Sequence, residues 1–212
     1  MVAKRVLVED FEVVPLLAQI ELDRDILVSI ARYADSQRAL CTANDVRGFD
    51  LITAHDKAAR GLRERFCGSR WVKDEVNNQA GIYNAGLNVR VIPCNFDEYA
   101  GNPDVEPTNR VIKGEASKSK VNVNRTGWLP GLPVPELEPT TIKTWVFGIY
   151  TEDGKPLGAE LSLPLSCNGG KYSQFAPRII LISGSEKEKI TSRSKPNDNG
   201  PVEVVDIAIK RR

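Results

Sequence analysis

The sequence predicts an α+β fold, with a helical N-terminal segment packed on a mostly antiparallel β-sheet. Three observations carry this. Apolar residues recur at helical spacing between Arg24 and Phe66. From Asn88 onward the apolar runs are short and rich in β-branched and aromatic residues. Asp153-Gly154 marks a hairpin turn between two of those runs. A run of helices followed by a run of strands points to α+β rather than to a doubly wound α/β fold. Residues 1–212 read as one domain: a helical layer over about 1–68, a β-rich part over about 69–212, and a proline-rich crossover at 127–141. Two subdomains joined near Pro130 are the alternative.

Taken in order, Val6 to Val8 reads as a short strand and Val13 to Ile20 as a short helix opened by Pro15, since proline suits a first helical turn. Asp23 is an N-cap for a helix over Arg24 to Leu40, with Ile26, Leu27, Ile30, Tyr33 and Ala34 on its apolar side. A second long helix spans about Phe49 to Phe66, and Gly68 stops it. Arg60, Arg63 and Arg65 near its end complement the helix dipole, with contact to a phosphate as the alternative. Trp71 to Gly86 reads as a connection with one short strand. Val89 to Ile92 is a buried strand, with Pro93 at its end or on an edge. Lys120 to Arg125 reads as another short strand, because Val121 and Val123 alternate with Asn122 and Asn124.

Pro130, Pro133, Pro135 and Pro139 fit neither a helix interior nor a central strand, so 127–141 reads as an extended connector. Ile142 to Tyr150 and Ala159 to Leu165 form the hairpin. Ala159, Leu161, Leu163 and Leu165 face one way, and Glu160 and Ser162 occupy a polar outer face. Ser166 to Ala176 reads as a loop, Arg178 to Ser183 as a strand, and 184–201 as a polar, turn-rich stretch. Val202 to Ile209 is a final strand before the basic Lys210-Arg211-Arg212.

Composition excludes several function classes. With 41% apolar and 27% charged residues the chain is ordinary globular material. A formal net charge of +1 gives no global pull toward nucleic acid or membrane, so only local patches could supply one. The four cysteines are at least 26 residues apart with no CxxC pair, and His55 is the only histidine. That argues against a Cys/His zinc site, an HD phosphohydrolase and most histidine-dependent hydrolases. Neither GxGxxG nor GxxxxGK[ST] occurs. There is no signal-peptide h-region and no apolar run of membrane-spanning length, so a cytoplasmic location is expected, with no membrane partner.

The most chemically equipped stretch is Asn88 to Arg110. Asp97, Glu98, Asp104 and Glu106 place four carboxylates within ten residues. Oxygen-rich loops at strand ends suit hard cations such as Mg2+, and Asp97 and Asp104 are the candidate ligands. A solvated surface loop is the plainer explanation of the same residues. Arg110, Lys113, Lys118, Lys120 and Arg125 follow at once. Carboxylates beside cations are what metal-assisted phosphodiester cleavage requires. Pro103-Asp104 with Glu115 and Lys118 resembles the PD-(D/E)xK nuclease pattern, but Ser117 stands where that pattern has lysine. Two functions are therefore expected from different classes. One is a non-catalytic binding or assembly module that engages a protein or nucleic-acid partner, with Arg110, Lys113, Lys120 and Arg125 as nucleic-acid contacts. The other is a Mg2+-dependent nuclease or phosphodiesterase, with Asp104, Glu115, Lys118 and Glu160 as catalytic residues.

Overall fold

The computed structural model describes residues 6–126 and 142–184, with the side chains of Arg125 and Thr126 excepted. The proline-rich crossover, the 185–201 stretch, the expected 202–209 strand and the basic C-terminal residues lie outside the described residues. The elements are β1 (Val6–Leu7), α1 (Asp10–Gln19), α2 (Arg24–Arg38), α3 (Phe49–Phe66), β2 (Trp71–Asp74), β3 (Gly81–Asn84), β4 (Val89–Asn95), α4 (Glu115–Thr126), β5 (Lys143–Tyr150), β6 (Gly158–Asn168) and β7 (Lys171–Ile182).

The fold is α+β. One seven-stranded sheet has the order β1-β7-β6-β5-β4-β3-β2. It is mixed. β2-β3-β4 and β5-β6-β7 are two antiparallel meanders. They join through the parallel β4–β5 ladder, and β1 adds to β7 in parallel. The strands before and after the proline-rich stretch thus share one sheet.

Alternation along each strand sends side chains to two faces. On one face Val89 and Val91, Trp145, Phe147 and Ile149, Ala159, Leu161 and Leu163 pack with Leu17, Leu27, Ile30, Ala58 and Leu62 of the first three helices. On the other, Ile92, Cys94, Val146, Tyr150, Tyr172 and Phe175 pack with Phe96, Ala100 and Val121.

The second and third helices form as the sequence predicts. Asp23 Oδ1 accepts from the Ile26 N–H at 2.9 Å, an N-cap bond that satisfies one orphan donor. Leu27, Ile30, Ala31 and Ala34 are buried at i, i+3, i+4 and i+7. α3 has the predicted limits.

Several expectations are corrected. α1 begins at Asp10, so Pro15 lies inside it rather than opening it. Trp71 to Asn84 holds two strands, not one. Residues 166–176 are mostly strand: β6 and β7 meet at Gly169-Gly170, whose φ values of 57° and 75° suit a tight two-residue hairpin turn. Residues 115–126 form a helix, not a strand, and helices are therefore not confined to the N-terminal part. Ser117, Lys120, Val121 and Asn124 are its buried positions, again at i, i+3, i+4 and i+7. That face is mostly polar, so apolar periodicity does not reveal it.

Pro93 sits in an interior strand, yet locally on an edge. β3 pairs with β4 only as far as Val91. The Phe96 N–H donates toward β5, to Ile149 O at 2.9 Å. By alternation the nitrogen of Pro93 faces the opposite side, where no strand follows, so its missing N–H costs no ladder bond.

Candidate functional site

The acidic loop after β4 is clamped to the sheet by residues outside it. Arg178 on β7 is fully buried and grips Glu160 of β6 with two donors, Nε to Oε1 at 3.1 Å and Nη2 to Oε2 at 2.6 Å. Nη1 and Nη2 also donate to Val105 O at 3.0 Å and Asn102 O at 2.8 Å. Glu160 further accepts from Ser162 Oγ at 2.6 Å and from the Gly101 N–H at 2.9 Å. The loop after β4 is thereby tied to the sheet at Gly101, Asn102 and Val105. Gly101 has φ +77°, and a Cβ there would stand 2.1 Å from Ile182 O, so the close approach requires glycine.

The expected outer polar face of the hairpin is therefore a buried ionic core. Glu160, expected as a catalytic strand acid, has its carboxylate wholly buried, with Arg178, Ser162 and Gly101 as donors. Asp97 accepts from the Tyr99 and Thr108 N–H groups at 3.3 and 3.2 Å and shapes the loop. Burial raises its pKa, against those two backbone donors. Asp104 is exposed, and Glu115 pairs with Lys118 on the surface of α4. Among the described residues no three His, Cys, Asp or Glu side chains gather as metal ligands would.

The expected nucleic-acid contacts also separate. Lys120 is buried under α4, where Nζ donates to Val76 O at 3.2 Å and to Gln79 Oε1 at 2.5 Å. Burial and the nearby Arg90 push its pKa down to about 8, with Asp74 opposing. The Lys120 ammonium is thus engaged inside the protein. Arg110 is exposed, and the Arg125 side chain lies outside the described residues. Lys113 lines a cavity.

That cavity is a groove of about 1380 Å³ along α3. Its helical wall is the stripe Leu51, His55, Ala59, Arg63 and Cys67, with Ile52, Asp56, Arg60 and Glu64 beside it. Both rows repeat every four residues, so one helix face supplies the wall. Lys73, Asn78, Ala80, Asn95, Val111 and Lys113 supply the facing side, and Arg47 closes the end before α3. Asn95 Nδ2 donates to Leu51 O at 2.8 Å, and the His55 imidazole is bonded to the Pro93 backbone on the strandless side of β4. At the far end Arg63 donates to Asp74 O at 2.8 Å and pairs with Glu75 at 3.0 Å.

The groove is electropositive. Arg47, Arg60, Arg63, Lys73 and Lys113 face two acids, Asp56 and Glu64. Glu64 pairs with Arg60 at 2.7 Å and Asp56 with Lys57 at 2.9 Å. Arg47, Lys73 and Lys113 have no carboxylate partner among the described residues. His55 is held toward its neutral form by burial and then by the Lys113 charge; Asp56 and the Pro93 backbone act the other way. Cys94, near Lys113, is buried and its thiol is pushed up by desolvation, which leaves it a poor nucleophile. The arrangement suits binding of negative charge and, among the described residues, presents no thiol with a lowered pKa. Sequence reasoning missed Arg47 and Lys73. The four-residue stripe in α3 was the available signal, but its meaning depends on which strands stop beside it.

No protein-family model, no curated protein and no solved structure matches this chain.

Proposed function

We propose that this chain is a non-catalytic binding module that engages an anionic partner through the groove along α3. One observation carries the reading: Arg47, Lys73 and Lys113 converge on a single large groove without carboxylate partners among the described residues. Cations left unpaired beside a low-dielectric wall focus potential there and draw in opposite charge. The nuclease reading has weaker support, because Asp97, Asp104, Glu115 and Glu160 are each engaged or set apart as described above.

The test uses heparin as a polyanion probe. At a formal net charge of +1, retention on a heparin matrix reports a local patch rather than bulk charge. The full chain is expected to be retained at low salt and to elute as salt rises. Arg47→Glu, Lys73→Glu and Lys113→Glu combined should abolish retention. Arg65→Glu, Arg110→Glu and Lys155→Glu combined change net charge equally at exposed sites outside the groove, and should largely keep it. Equal loss in both variants, or no retention of the parent chain, would contradict the proposal.

A further inference from the structure

The groove's walls are more informative about its partner than its charge is. Between the cations the lining is aliphatic: Leu51, Ile52, Ala59, Ala80 and Val111. Ile52 and Val111 are 62% and 55% exposed, so the apolar surface lies open beside the charges. Ile112, next to Lys113, is 71% exposed, and Val46, next to Arg47, is 74% exposed.

A phosphodiester chain matches this poorly. Single-stranded nucleic acid is held by bases stacked on aromatic rings, and among the described residues no Phe, Tyr or Trp lines the groove. A phosphate backbone has nothing to offer the aliphatic walls. Strand addition is also blocked. The open side of β4 has Pro93, which has no N–H to donate and whose backbone bonds His55, and Asn95, whose carbonyl accepts from the Arg110 N–H at 2.9 Å. A partner seated against β4 is therefore recognised through its side chains.

Resting on the anion-groove reading above, we infer that the partner is a peptide segment of another protein carrying both carboxylates and aliphatic side chains. Its Asp or Glu residues meet Arg47, Lys73 and Lys113, and its Leu, Ile or Val residues cover Ile52 and Val111. α3 has 18 residues and is about 27 Å long. An extended peptide of about eight residues spans that length.

The experiment pans a random twelve-residue peptide library on the immobilised full chain, then titrates the most enriched sequence as a synthetic peptide. Enriched peptides should combine Asp or Glu with Leu, Ile or Val. The synthetic peptide should lose about tenfold or more in affinity to Arg47→Glu with Lys113→Glu. It should lose a similar factor to Ile52→Asn with Val111→Asn, two exposed positions where polar replacement is expected to leave the fold intact, with circular dichroism as the control. Enrichment of non-acidic peptides, no enrichment, or affinity indifferent to the Ile52 and Val111 changes would overturn the inference. A mixed-sequence DNA duplex that binds the parent chain, fails on the charge variant and ignores the apolar variant would overturn the peptide and leave the anion groove standing. Failure of the charge variant to weaken any polyanion would overturn both.

Discussion

Arg178 sits in a run of strand formers, RIILIS, where composition says only that the segment is buried. Its guanidinium is wholly enclosed and donates to Glu160, Asn102 and Val105. A carboxylate on a polar strand position invites a functional reading until its partner is known, and that partner lies 18 residues away on the next strand. Breaking such a pair strands a charge in a low-dielectric site, which costs about 3–5 kcal/mol. Arg178→Met is therefore expected to lower unfolding free energy by about that amount in urea titrations. Arg178→Met with Glu160→Leu should cost less than the sum of the two single changes, because neither charge is then orphaned. A loss under about 1 kcal/mol for Arg178→Met would mean the clamp does not hold the loop.

At the scale of elements, legibility follows the chemistry of the buried face. α2 and α3 bury aliphatic and alanine stripes, so their spacing announces them and the Asp23 cap fixes where α2 starts. α4 escapes because it covers a polar part of the sheet. Asp74 and Arg90 pair there at 2.5 Å, and Lys120 and Ser117 reach Gln79. A helix over such a patch needs polar residues at its buried positions, and four alternating Val and Asn residues then imitate a strand. Asn124 is the most exacting of them. Fully buried, it donates Nδ2 to Thr144 O at 2.9 Å and Pro164 O at 2.8 Å, and its Oδ1 accepts from the Thr144 N–H at 2.8 Å. Asn124→Ala leaves three backbone groups without partners, at roughly 1–3 kcal/mol each. We expect a loss of at least about 2 kcal/mol in thermal or denaturant unfolding; an unchanged midpoint would remove α4 from the stabilising elements.

For the whole molecule, the groove is a product of topology rather than of any one motif. Two meanders meet at the β4–β5 ladder, and β3 stops short of the end of β4. α3 lies along the gap, fastened by Asn95 and the Pro93 backbone at one end and by Arg63 at the other. The cations come from four separate places: the turn before α3, α3 itself, β2, and the loop after β4. No window of sequence contains them together. The acidic loop, which is contiguous and conspicuous, is bound instead to the opposite face through Phe96 and Ala100. Hydrogen–deuterium exchange of the full chain with and without a heparin octasaccharide tests the location of the site most directly. Exchange should slow in segments covering 46–63, 73–80 and 110–113, and stay unchanged across 143–182. Protection confined to other segments, at concentrations where the oligosaccharide binds, would contradict a binding groove on α3.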